Sequence, residues 1–201
     1  MFNLAINLLF LLFSLGNKSL ANQCPPEKNA ITDLLHKINS TTNTVRIEKV
    51  TGDVRIVRAD QNSTRATPKM MLTKKDEIIT GDKSSVEIIV GEKNRIRLKP
   101  NSRILIQELM YRIKGPRTIR LYLTEGSAHF EIMEPWIHKK DEFQVKTITS
   151  VIGIRGTVFT VETSPKGTYV ECFSGKVFVR RPNQKKPLKI LNGGDHIFVK
   201  M

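Results

Sequence analysis

Histidines, carboxylates and cysteines are the side chains from which most catalytic and metal sites are made, and this chain holds few in suggestive arrangements. Its four histidines are His36, His129, His138 and His196. His129 and Glu131 share one face of an alternating segment, and Glu134, His138, Asp141 and Glu142 follow shortly after, all of types that ligate zinc. Lys139 and Lys140 beside His138 oppose a bound cation, and ordinary surface roles explain the group more simply. There is no Gly-x-Ser-x-Gly elbow, His-Glu-x-x-His, phosphate-binding loop or Cys-x-x-Cys, so the common hydrolase, zinc-protease, nucleotide and thiol-redox signatures are missing. The reading is non-enzymatic, with no catalytic residue, metal or cofactor expected. Cys24 and Cys172 are too few for a disulfide scaffold. In an oxidising compartment they can form one bridge, and a small half-buried role for Cys172 explains that residue equally well.

Binding chemistry has better candidates. Arg95, Arg97 and Lys99 alternate with Ile96 and Leu98, which places three cations on one strand face and two aliphatics on the other. That face suits an anionic partner, and Arg103, Arg112 and Lys114 can widen it if successive strands stack. The competing reading makes the three cations guards of an exposed sheet edge. The segment Val151 to Phe159 carries Gly153, Arg155, Gly156, Thr157 and Phe159. Its two glycines suggest a kink where backbones approach closely, with Gly156 needing to lack a Cβ. Arg155 then pairs a carboxylate or caps carbonyls, or alternatively binds an anion. Trp136, the only tryptophan, is placed to plug one end of a core.

The elements that position these residues are mostly strands. Ile31, Leu34, Leu35 and Ile38 recur at helical spacing, so residues 22–44 read as a short helix and linker. From Val45 the period switches to two. Val45-Arg46-Ile47 and Val54-Arg55-Ile56-Val57 flank Thr51-Gly52-Asp53 as in a hairpin. Val86, Ile88 and Val90 share a face, and further runs continue to Lys200, separated by turn signals at Gly81, Pro100, Thr124-Glu125-Gly126, Ser174-Gly175 and Asn192-Gly193-Gly194. About a dozen short strands at this spacing predict an all-β fold over 45–201, a twisted solenoid-like or sandwich-like stack.

Leu4 to Leu15 is uncharged and apolar apart from one Asn and one Ser, too short to span a bilayer, and Ser19-Leu20-Ala21 is a small-x-small cleavage pattern. Residues 1–21 therefore read as a signal peptide, the protein as exported or periplasmic, and the mature chain as lacking a transmembrane helix. The 201 residues carry 33 Lys and Arg against 19 Asp and Glu, a net charge of +14. In the cytoplasm such a balance would suggest nucleic acid. After export the partners are instead lipid headgroups, anionic envelope polymers or acidic proteins, with peripheral envelope contact allowed.

The motif spacing resembles the FecR domain family, the extracytoplasmic regulators named for ferric-citrate signalling. The resemblance runs from Leu72-Thr73 through Asp76, Thr80-Gly81 and Pro100-Asn101-Ser102, then Leu123-x-x-Gly126-x-x-x-Phe130, Phe143-x-Val145-x-Thr147 and the segment Gly153-x-Arg155-Gly156-Thr157-x-Phe159. Lys74 and Lys75 stand where the family usually has a glycine before its aspartate, and Gly91-Glu92 where Asp-Gly is common. The resemblance implies a β-solenoid-like domain. Full-length family regulators also carry a cytoplasmic anti-sigma segment, a membrane helix and a further C-terminal domain, and on this reading the chain holds none of these. Two functions follow as expectations. The first is a non-catalytic extracytoplasmic module that docks a partner protein or an anionic envelope polymer. The second is a standalone sensor or regulatory component of an iron-type envelope signalling system.

Overall fold

The computed structural model describes residues 45–110, 117–133 and 141–201, apart from the side chain of Arg155. The expected signal peptide and N-terminal helix, Cys24, Trp136 and His138 lie outside the described residues. In chain order the strands are β1 (Val45–Thr51), β2 (Val54–Val57), β3 (Ser63–Arg65), β4 (Glu77–Thr80), β5 (Ser85–Val90), β6 (Asn94–Leu98), β7 (Arg103–Met110), β8 (Thr118–Ile132), β9 (Glu142–Lys146), β10 (Val151–Ser164), β11 (Gly167–Arg180), β12 (Lys189–Asn192) and β13 (His196–Lys200).

These strands form one continuous sheet that folds over itself. One layer runs β3-β2-β4-β7-β8-β9-β10-β11-β12; the second runs β1-β5-β6-β8-β10-β11-β13. All pairs are antiparallel except β8 with β9. The long strands β8, β10 and β11 belong to both layers. The first half of β8 pairs with β7 and β9, and its second half with β6 and β10. Each long strand changes layer at a left-handed glycine: Gly126 (φ 80°), Gly156 (φ 54°) and Gly175 (φ 80°). A residue without Cβ enters that region at little cost, so a strand can bend sharply without ending.

The inward faces are aliphatic because period-two alternation sends every second residue into the gap between layers. Val86, Ile88 and Val90 of β5 and Ile96 and Leu98 of β6 meet Ile78, Ile104, Ile106 and Leu121 of the opposite layer in one core. Phe130 stacks on Phe159 with centroids 4.7 Å apart, and Phe143 meets Phe130 edge-on at 6.2 Å. This is the expected sandwich-like all-β fold.

Two local expectations fail. Thr51-Gly52-Asp53 closes no hairpin, since β1 pairs with β5 while β2 pairs with β3 and β4. Inward residues on both sides of Gly52 fill the core from opposite layers, so the turn is a corner. The presumed turns at Thr124-Glu125-Gly126 and Ser174-Gly175 likewise lie inside continuous strands.

The corners stack into a seam. Gly81 N–H donates to the Asp53 carbonyl (2.9 Å) and Asn101 N–H to the Gly81 carbonyl (3.1 Å). Ser102 Oγ donates to the Ser127 carbonyl (3.1 Å) and accepts from Ser127 N–H (2.9 Å). Thr80 Oγ1 donates to the Lys99 carbonyl at 2.7 Å. Buried serines and threonines thus satisfy the backbone groups that bending removes from the ladder.

Candidate functional site

Arg95 and Arg97 project from β6 on the outer face, as their alternation with Ile96 and Leu98 requires, and both are about half exposed (54% and 50% of the side chain). The edge-guard reading does not fit, because β6 is hydrogen-bonded to β5 on one side and β8 on the other. Nor is the face uniformly basic. Both guanidiniums reach the Glu87 carboxylate on β5, at 3.4 Å from Arg95 and 3.1 Å from Arg97. Across the other side, Glu131 lies opposite Arg95 and His129 opposite Arg97. Lys99 sits past the strand end at the corner, where its N–H donates to the Ser127 carbonyl (2.9 Å). Cations and carboxylates therefore alternate across neighbouring strands. Arg103 does not widen the stripe, because it lies on β7, a strand of the other layer, and pairs with Glu77 at 3.3 Å. Arg112 and Lys114 lie outside the described residues.

His129 is half-buried beside this face. Its Nδ1 is 2.9 Å from Thr160 Oγ1 and its Nε2 3.6 Å from Glu131. Burial holds its pKa below the ordinary 6.5, with Arg97 and Lys99 adding to the effect and Glu131 opposing it. Asp141 and Glu142, the remaining described members of the suggested metal group, are engaged by arginines. Asp141 accepts from Arg117 N–H (2.9 Å) and from its guanidinium (3.2 Å), and Glu142 pairs with Arg120. Among the described residues no three His, Cys, Asp or Glu side chains cluster as a metal would need.

The segment Gly153 to Phe159 is a bent piece of scaffold. The register between β10 and β11 shifts between Arg155 and Val158, which is the expected kink. The expected close approach is elsewhere. A Cβ on Gly153 or Gly156 would meet nothing within 4 Å, whereas one on Gly175 would lie 2.3 Å from the Gly156 carbonyl oxygen. Gly156 is needed for its φ, and it is the missing Cβ of Gly175 that leaves room for the Gly156 carbonyl. Thr157 is buried, and Phe159 is the stacked core ring already described. The Arg155 side chain lies outside what the structure describes.

Cys172 is fully buried on β11, its Sγ 3.4 Å from the Ser174 carbonyl oxygen, and burial pushes its thiol pKa up.

Two features escape a reading of the sequence. Asp76, the aspartate left without its usual glycine, is buried and held by Arg58 and by Thr73 N–H (2.7 Å). Nothing in the spacing of Arg58 and Asp76 announces that pair. The second is a cluster of exposed apolar residues on and around β12, with Phe178, Leu188 and Ile190 at 37%, 48% and 44% exposure. The alternation of Lys189-Ile190-Leu191 hints at a strand, but only the sheet order shows that it is an edge.

A family profile described as FecR protein matches residues 76–178. Two crystal structures of a protein from Parabacteroides distasonis ATCC 8503, provisionally described as an anti-sigma factor, are similar at 19% identity, with TM-scores of 0.42 and 0.43. The alignments cover 62% and 64% of this chain and 59% and 60% of theirs, so this chain spans about three-fifths of those proteins. No curated protein matches the sequence.

Proposed function

The chain belongs to the FecR protein family, and we propose that it acts as a non-catalytic, exported binding module that docks a partner protein in the envelope. One observation carries this reading. Among the described residues, the cavity between the layers is lined by aliphatic side chains, Val45, Ile88 and Ile96 from one side and Ile78, Ile104 and Leu121 from the other among them. Such an interior gives a polar substrate no donor or acceptor, so recognition falls to the surface. There the face around Arg95, Arg97 and Lys99 interleaves cations with Glu87 and Glu131, which suits the mixed charge of a protein better than the uniform charge of an anionic polymer. No helix among the described residues is long and apolar enough to cross a membrane. Export rests on residues 1–21.

A second reading, a regulatory component of an envelope signalling system, is favoured by the family itself. The two are compatible, since a regulator of this kind works by docking.

Affinity capture from periplasmic extract tests the proposal. The wild-type chain should retain a protein at low salt and release it at high salt. The triple variant R95Q/R97Q/K99Q should lose that protein while keeping its melting temperature. Equal capture by both would move the docking surface away from β6. Recovery of polysaccharide without protein would overturn the protein-partner reading.

A further inference from the structure

Among the described residues, ion pairs are concentrated in the first three-quarters of the chain: Arg46 pairs with Glu48, Arg55 with Asp53, Lys74 with Glu108, Arg103 with Glu77 and Arg120 with Glu142. From residue 176 to 201 there are seven cations, Lys176, Arg180, Arg181, Lys185, Lys186, Lys189 and Lys200, against a single carboxylate, Asp195. None of the seven pairs with a carboxylate among the described residues. Arg180 donates to the carbonyls of Pro182 (3.3 Å) and Gln184 (3.1 Å), Arg181 to that of Lys200 (3.4 Å) and Lys189 to that of His196 (3.3 Å). Asp195 is taken up by its own turn, accepting from Asn192 N–H at 2.8 Å.

This charge surrounds a sheet edge. Among the described residues β12 ends its layer, hydrogen-bonded to β11 alone, and one side of its backbone has no strand partner there. Ile190 lies opposite Phe178 of β11, and both side chains are exposed on the outer face, while Leu191 points into the core. An edge with unpaired backbone groups, an apolar outer strip and a cationic rim is a template for another strand. Self-pairing is disfavoured by charge, because two copies of this rim would bring together surfaces that each carry Lys185, Lys186 and Lys189 with no paired carboxylate.

We propose that the edge of β12 is a strand-addition site for an extended acidic segment of a partner protein, in which apolar and acidic residues alternate. The apolar residues lie beside Ile190 and Phe178, and the carboxylates meet Lys185, Lys186 and Lys189. The site rests on the reading of the chain as a protein-binding module, and adds a surface distinct from that of Arg95, Arg97 and Lys99.

The probe is a synthetic peptide of alternating glutamate and valine, about eight residues long, enough to cover one strand. It should bind the purified full chain, weaken about tenfold or more between about 0.05 and 0.3 M salt, and slow amide hydrogen exchange along β12. The variant K185Q/K186Q/K189Q should lose most of the affinity, and I190K the remainder, with melting unchanged in both because these side chains are exposed. A peptide with lysine in place of glutamate should not bind. Protection located on β6 rather than β12, or equal binding by the triple lysine variant, would overturn the proposal. So would cosedimentation with phosphatidylglycerol vesicles without peptide binding, which would make the edge a membrane contact. Peptide addition at β12 in a chain that captures no periplasmic protein would sink the broader docking reading and leave the edge standing.

Discussion

Gly126 and Gly156 both bend a long strand through a left-handed φ, yet their replacement by alanine should have unequal effects. At Gly156 the new Cβ meets nothing within 4 Å, so the cost is the left-handed conformation alone, about 1–2 kcal/mol. Reduced freedom of the unfolded chain returns about 0.4–1 kcal/mol of that, leaving a net loss near 1 kcal/mol. At Gly126 the same Cβ would lie 2.3 Å from Ser102 Oγ and 2.5 Å from the Asn101 carbonyl oxygen. The serine can rotate away, but the backbone oxygen cannot, so the β6–β7 corner must shift. The shift breaks the reciprocal Ser102–Ser127 hydrogen bonds of 3.1 and 2.9 Å, each worth about 1 kcal/mol net. Strain and lost bonds together come to about 3 kcal/mol after the same entropic return. For a domain of this size roughly 3 °C accompanies each kcal/mol. Thermal unfolding followed by circular dichroism should therefore show Gly126→Ala melting about 10 °C below wild type and Gly156→Ala only about 3 °C below. Equal shifts, or Gly156→Ala as the more damaging change, would refute the assignment of the tight corner to Gly126.

Lys75 holds a left-handed conformation (φ 73°) on an exposed turn, so Lys75→Gly should stabilise by up to about 1 kcal/mol, read as a raised urea midpoint. Asp76→Ala should destabilise by about 3 kcal/mol in the same assay, because it removes a buried carboxylate that Arg58 and Thr73 N–H both use. Phe159→Ala, which empties one half of the stacked pair with Phe130, should cost about 3–5 kcal/mol. His129 has a folded-state pKa below the ordinary 6.5, so in the window beneath 6.5 the unfolded chain binds more protons and stability falls as pH falls. Urea midpoints measured down that window should decline less in His129→Gln than in wild type.

Much of the core was legible from alternation. Val86, Ile88 and Val90 face inward as their spacing demands, and so do Ile96 and Leu98. Strand pairing was not legible, because a left-handed glycine between two apolar runs serves a hairpin and a layer crossing equally well. Which one forms at Gly52 depends on whether β1 finds β2 or the more distant β5, and β5 offers Val86, Ile88 and Val90 in register with Val50, Ile47 and Val45. Charge was legible as a sum but not in its cancellation. Arg95 and Arg97 look like a basic stripe until the β5–β6 hairpin brings Glu87 between them.

The same contrast separates what the family pattern encodes from what it leaves to the individual chain. Within the matched residues 76–178, several motif positions do framework work. Gly126 and Gly156 turn corners, Ser102 satisfies the seam, and Phe130, Phe143 and Phe159 fill the centre. Each fixes the scaffold and none presents a charged group to solvent. The edge strand β12 and the run of cations from Arg180 to Lys189 lie beyond that segment, apart from the framework's requirements. Changes to its exposed cations alter neither a corner nor the core, so that edge can change its charge at little cost to the fold. On the proposed strand-addition reading, such a surface would give the shared framework its particular partner.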